Sequence, residues 1–248
     1  MPESVRINKY LSAAGICSRR EADRQINAGK VTINGWPAQA GDQVSPGDVV
    51  MFEEQKVSRE EEAVLLVINK PPGIVCTAEK KEKDNIVDYV NYPKRIYPIG
   101  RLDKNSRGLL LMTNQGDLVN KIMRSGNFHE KEYLVKVNQD ITTNFIREMA
   151  GGVYLEELDV ITRPCQVEKV GRRTFRIVLT QGMNRQIRRM CEAFRYQVVD
   201  LKRVRIMNIR LGNLKEGSYR KVTDQEWREL EELIKDSSNE TVIPEIGL

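Results

Sequence analysis

The stretch Gly100-Arg101-Leu102-Asp103-Lys104-Asn105-Ser106-Arg107-Gly108 sets an acid two residues after an arginine. It is a glycine-bounded loop that runs into the apolar Leu109-Leu110-Leu111-Met112. A carboxylate moved into a base-binding pocket loses hydration and drifts toward its neutral form, and a neighbouring guanidinium opposes that drift. Asp103 is therefore a candidate nucleophile or proton acceptor, with an exposed or structural acid as the plainer reading. A second candidate is Gly182-Met183-Asn184-Arg185-Gln186-Ile187-Arg188-Arg189-Met190. With Ile187 at 0° on a helical wheel of ~100° per residue, Met190, Cys191 and Phe194 extend an apolar stripe. On that wheel Arg188 falls near ~100°, at the edge of the stripe, while Arg185 and Arg189 fall near ~160° and ~200° and face away. One arginine can lean into a site between helix and sheet while two reach phosphate, because the guanidinium fork suits carboxylate and phosphate alike. A solvated basic face is the alternative. Tyr133 is the third candidate: its ring can stack on a pyrimidine and its hydroxyl can handle a proton, or it can simply fill a core. The chain holds one histidine, His129, which reads as a loop residue, so no conventional triad or zinc cluster is available. Cys17, Cys76, Cys165 and Cys191 show no paired spacing and read as buried thiols. No motif for a cofactor or metal is visible.

The elements that must carry these residues fall into two groups. Ile7, Tyr10, Leu11 and Ala14 recur at helical spacing until Gly15. Ser18-Arg19-Arg20-Glu21 reads as a capping box opening a second helix, which Gly29 ends. Val31-Thr32-Ile33 and Val49 to Phe52 read as short strands, the first closed by Asn34-Gly35. The charged stretch 53–62 reads as a linker. Val64 to Ile68 opens a new core, stopped by Lys70-Pro71-Pro72-Gly73. Strands are expected at Leu109 to Met112, Tyr133 to Val137, Val167 to Val170, Phe175 to Leu179 and from Val198. Helices are expected after Asp84, Asp117, Thr142 or Thr143, and Asn184 as capping residues. A last helix opens with a second capping box, Thr223-Asp224-Gln225-Glu226. The pattern is α+β with a mixed or antiparallel sheet. The domain plan is 1–60, 61–236 and a loose acidic tail, 237–248.

The chain has 248 residues and a formal net charge of +5. Residues 221–248 hold three Lys or Arg against eight Asp or Glu, so the excess of positive charge belongs to residues 1–220. A basic body suits a polyanion. No apolar run reaches the ~20 residues of a membrane span, and no signal segment follows Met1, so a cytoplasmic protein is expected. A monomer is the default expectation.

Together these stretches resemble the pseudouridine synthases of the small-subunit pseudouridine synthase A family. Arg101-Leu102-Asp103 with Ser106, Gly108 and Leu109 resembles the catalytic motif, Lys131 and Tyr133 the second, and Arg185-Gln186-Ile187-Arg188-Arg189-Met190 the third. Arg6-Ile7-Asn8-Lys9-Tyr10-Leu11, Ser18 to Asp23, and Val31 to Gly35 resemble the S4 RNA-binding domain that these enzymes carry. Ser125 to Tyr133 is similar to the large-subunit type F, which acts on 23S rRNA and, in some members, on the anticodon loop of tyrosine tRNA. The acidic tail departs from the long basic tail of some type-F members. The resemblance implies Asp103 as the catalytic aspartate, Arg188 as its partner and Tyr133 against the target base. It further implies RNA contacts from Arg101, Lys131, Arg185, Ile187 and Arg189, beside Arg6, Lys9, Arg19, Arg20, Arg24 and Lys30 of the S4-like module. The implied fold is a largely antiparallel sheet with a central cleft, and no cofactor is implied. Two other classes compete. One is a noncatalytic RNA-binding or ribosome-assembly protein, which needs only the S4-like module. The other is a nuclease or N-glycosidase, although Asp103 has no sequence-near acidic partner.

Overall fold

A computed structural model describes residues 4–58 and 62–238. The chain divides into two compact units. One holds the residues up to Ala63 with Pro93–Arg95 and Asn114–Gly116; the other holds Val64–Tyr92, Ile96–Thr113 and the chain from Asp117.

In the first unit, helices Ile7–Ala13 and Arg19–Asn27 lie with a four-stranded sheet in the order Trp36–Pro37, Val31–Ile33, Val50–Phe52, Gln55–Lys56. Ile7, Leu11, Ala22, Ile26, Val31 and Val50 form the core, as the helical spacing requires. Ser18 Oγ accepts the Glu21 amide, half of the expected capping box. The Glu21 carboxylate instead bonds Arg24 and Gln25. Asn34 and Gly35 both have positive φ and close the hairpin as their types predict.

The second unit is built on a nine-stranded sheet. Its main path runs Gln166–Gly171, Thr174–Leu179, Lys131–Val137, Val198–Ile206, Arg107–Thr113, Leu65–Lys70, Tyr219–Lys221. Two short strands, Tyr97–Ile99 and Ile209–Arg210, pair off this path. Among the described residues, every pairing within this sheet is antiparallel except one: Arg107–Thr113 runs parallel to Val198–Ile206, joined through Lys202 opposite Arg107 and Arg203 opposite Gly108. A Cβ at Gly108 would lie 2.3 Å from the Arg203 carbonyl oxygen, and Gly108 has φ +100°, so only glycine lets these strands approach. On one side of this seam, helices Thr143–Gly151 and Gln186–Ala193 bury Phe145, Met149, Ile187, Met190 and Cys191 against the sheet. On the other, Gly116–Met123 and Asp224–Leu233 bury Leu118, Ile122 and Leu230, and Ile86–Val90 covers part of Leu65–Lys70. The fold is α+β and largely antiparallel.

Several caps differ from expectation. Asn85, not Asp84, caps Ile86–Val90 by accepting the Asp88 amide. Asp117 lies inside the first turn of Gly116–Met123. The helix expected to start at Asn184 is preceded by Arg185 at φ +52° with no side-chain cap. Thr142 and the Thr223–Glu226 box cap as expected. Ser237 and Ser238, read as the start of a loose tail, bond to His129 and Asn127; the rest of that tail lies outside the described residues. Cys76 and Cys191 are buried, whereas Cys17 and Cys165 are partly exposed, and all four are free.

Candidate functional site

The Asp103 loop joins Tyr97–Ile99 to Arg107–Thr113 at the parallel seam. It is held from below. Lys70, wholly buried at the end of its strand, donates from Nζ to the carbonyls of Pro71 (2.8 Å), Lys104 (3.2 Å) and Ser106 (2.7 Å). Three donors meet three acceptors, which offsets part of the cost of burying the cation. Burial still pushes the Lys70 pKa down. The Gly73 amide also reaches the Lys104 carbonyl (2.8 Å), and the Leu102 amide reaches Cys76 Sγ (3.4 Å). Leu102 itself packs beside Ile68 and Leu110. The loop therefore presents Asp103 from a fixed backbone, with its side chain 32% exposed.

The carboxylate meets the helix Gln186–Ala193. Asp103 Oδ2 lies 3.5 Å from Arg188 Nε and 4.0 Å from Arg185 Nη1. Arg188 is fixed on its other edge, donating from Nη1 to the Val198 carbonyl (3.3 Å) and from Nη2 to Ser106 Oγ (3.4 Å). Its buried Nε has no hydrogen-bond partner among the described residues and faces the carboxylate. One guanidinium thus ties both ends of the catalytic-motif loop, Asp103 and Ser106, to the far half of the sheet. Arg185, expected to face away, turns toward Asp103 because its left-handed backbone places it ahead of the helix, which begins one residue later than the spacing assumed.

Tyr133 sits on the adjacent strand, opposite Ile177 on one side and Arg203 on the other. Its half-buried ring packs against the core on both sides of the seam. Below it lies Arg203, 1% exposed, with its guanidinium carbon 6.0 Å from the ring centroid. Arg203 Nε donates to the Leu109 carbonyl (2.7 Å), while its buried Nη2 has no partner among the described residues.

The other expected contacts separate into two groups. Arg101 is exposed beside Asp103. Lys131 is only 2% exposed and donates to the His129 carbonyl (3.1 Å); burial, with Arg203 nearby, pushes its pKa down to about 8. Lys131 is thus held inside the fold, and Ile187 likewise lies in the core. Arg189 pairs with Glu157 and donates to the Asn184 carbonyl and Oδ1, so its charge is already engaged. In the first unit Arg6, Arg19, Arg20, Arg24 and Lys30 are exposed, and Lys9 is half-buried. Arg24 and Lys30 pair with Glu21 and Glu53 at the surface, bonds weak enough to exchange for phosphate. Spacing did not single out Lys70 and Arg203, because a basic residue in or beside an apolar strand ordinarily signals its exposed end.

A carboxylate aimed by two arginines, on a loop whose Leu102 shares a core with a half-buried tyrosine, can act on a planar base or its sugar. Comparison with known proteins agrees. Residues 64–193 match the RNA pseudouridylate synthase family and residues 5–50 match the S4 domain. The chain is 56% identical over 239 residues to the dual-specificity RNA pseudouridine synthase RluF of Escherichia coli, covering 96% of this chain and 82% of that protein. It is 33% identical to ribosomal large subunit pseudouridine synthase B of Bacillus subtilis, covering 94% and 98%. A crystal structure of a pseudouridylate synthase superposes with a TM-score of 0.67 at 30% identity, covering 93% of this chain and all of that one. Those matches, on a sheet that brings Asp103 and Arg188 together across its seam, show that the chain belongs to the RNA pseudouridylate synthase family, isomerases acting on RNA, with an S4 domain ahead of the catalytic core.

Proposed function

We propose that this enzyme isomerises a uridine of 23S rRNA, and also one in the anticodon loop of tyrosine tRNA, with Asp103 as the catalytic group. The observation that carries the site assignment is the Asp103 carboxylate opposite the otherwise unpartnered Nε of Arg188. The dual specificity named for the 56% identical relative and the large-subunit substrate named for the 33% identical one support the choice of RNA.

The reaction breaks the bond from uracil N1 to C1′ and forms one from C5 to C1′. A proton leaves C5 and one joins N1, so atoms and electrons balance without an external oxidant or reductant. The target must first leave the base stack, which costs a few kcal/mol, and phosphate contacts offset part of this. Asp103 acts at C1′, at C6 or on the C2′ proton; Arg188 holds and aims the carboxylate. Tyr133 packs on the base, with its hydroxyl as a candidate acceptor of the C5 proton. The exposed arginines of residues 1–60 supply phosphate contacts, and residues 61–236 supply the chemistry. No helix among the described residues is long and apolar enough to cross a membrane. A monomer working in the cytoplasm completes the reading.

Mapping pseudouridine in 23S rRNA and tyrosine tRNA, from cells with and without the protein, tests the assignment. One protein-dependent site in each RNA is expected. No dependent site in either defeats the substrate reading, and strand scission or released uracil would point instead to a nuclease or N-glycosidase.

A further inference from the structure

We propose that the Phe128 ring and the Arg163 guanidinium form a stacking platform for one unstacked base of the substrate RNA, beside the loop that carries Asp103. The inference rests on the RNA-modifying reading above and adds a contact that the catalytic site does not use. Phe128 is 58% exposed, whereas Phe145, Phe175 and Tyr196 are buried together in one core. Its φ of +55° lies in the left-handed region that a bulky residue rarely occupies, and strain of this kind persists where the surroundings impose it.

The surroundings do impose it. The Phe128 amide closes the turn Ser125–Asn127 onto the Ser125 carbonyl (3.3 Å). Asn127 Nδ2 donates to the Lys121 carbonyl (2.8 Å), and its Oδ1 accepts the Ser238 amide (3.2 Å). Arg163 donates from Nη1 to the Ser125 carbonyl (2.9 Å), which holds its guanidinium carbon 4.2 Å from the Phe128 ring centroid. A planar cation on an aromatic ring leaves stacking surface and a free charge side by side. A base stacks on either plane while its phosphate meets the cation.

The position suits this use. The turn follows the helix Gly116–Met123, and Met123 fills the space that a Cβ on Gly100 would need, at the start of the Asp103 loop. Arg163 follows the hairpin Tyr154–Ile161, whose Glu157 pairs with Arg189 on the helix of Arg188. The platform is thus connected to both arms of the site. Exposed Arg101 and half-exposed Arg185 extend the same charge sign that a polyanion requires.

Filter binding to unmodified 23S rRNA transcribed in vitro tests the platform with Phe128→Asn, Phe128→Trp and Arg163→Met. Asparagine adopts the left-handed region readily, so Phe128→Asn removes the ring and keeps the turn. It should weaken binding about five- to a hundredfold without changing the salt dependence. Phe128→Trp should restore parental affinity. Arg163→Met should weaken binding and lower the slope of log K against log salt by about one. On the same transcript the losses should appear in KM and not in kcat. Parental affinity in a Phe128→Asn protein of parental melting temperature overturns the platform, as does a ring-deletion loss that tryptophan fails to repair. A parent enzyme that binds the transcript but forms no pseudouridine defeats the substrate reading instead, and leaves the affinity comparison standing.

Discussion

Arg188 carries two jobs that a single substitution can separate. Its Nε faces Asp103 and its Nη2 reaches Ser106 Oγ, so it brings both a charge and a rigid fork to the carboxylate loop. Arg188→Ala should lower kcat about a hundredfold or more, while Arg188→Lys, which keeps a charge but loses the fork, should recover little of it. Steady-state kinetics on RNA check this; parental kcat in Arg188→Lys would show that charge alone suffices. Lys131 gives a test by pH. A lysine held at about 8 against its ordinary 10.5 is disfavoured by folding while protonated. Below pH 8 both states bind the proton and the cost is constant, on the order of 3 kcal/mol. From about pH 8 to 10.5 only the unfolded state holds the proton, so stability rises with pH across that window. Lys131→Met should raise stability near neutral pH and flatten that rise, measured by urea unfolding. At this scale Asp103, Arg188 and Tyr133 were legible because their motifs are local. Lys70, Arg203 and the burial of Lys131 were not, because their partners are carbonyls and strands far along the chain.

The element that most constrains the site is the parallel seam. Only Lys202 and Arg203 pair there with Arg107 and Gly108, yet this junction sets the distance between the Asp103 loop and the helix of Arg188. Gly108→Ala would place a methyl against the Arg203 backbone at φ +100°. It should cost about 3 kcal/mol or more and lower the melting temperature by about 6 °C or more. Gly151 makes a matched control, since a Cβ added there would meet no atom within 4 Å and its φ lies outside the left-handed region. Gly151→Ala should shift stability by less than about 1 kcal/mol. Helices with a clear 3.6-residue stripe, such as Gln186–Ala193 and Arg19–Asn27, were visible in the sequence. The short strands Tyr97–Ile99 and Tyr219–Lys221 were not, since they lack the Asn-Gly turn that marks Val31–Ile33 and pairing alone defines them.

At the scale of the whole molecule, charge is divided along the chain: residues 1–60 are balanced, the positive excess lies in residues 61–220, and the end segment is acidic. Arg19 and Arg20 are exposed on one helix start, without a partner role in the chemistry proposed for the second unit. Replacing both by alanine should raise KM for RNA and reduce the salt slope of binding by about two. An unchanged slope would remove that helix from the RNA interface. The α+β class and the succession of an RNA-binding module and a catalytic unit were legible from motif order and patterning. The parallel junction at the middle of the sheet was not, because strand order is a property of pairing between distant segments. The central claim is that Asp103 performs the isomerisation, and the most direct measurement compares pseudouridine formed in RNA by the parent and by Asp103→Asn, at equal folding. The parent should convert its target uridine, and the variant should fall by about a thousandfold or more. A folded Asp103→Asn protein that retains substantial turnover would contradict the account.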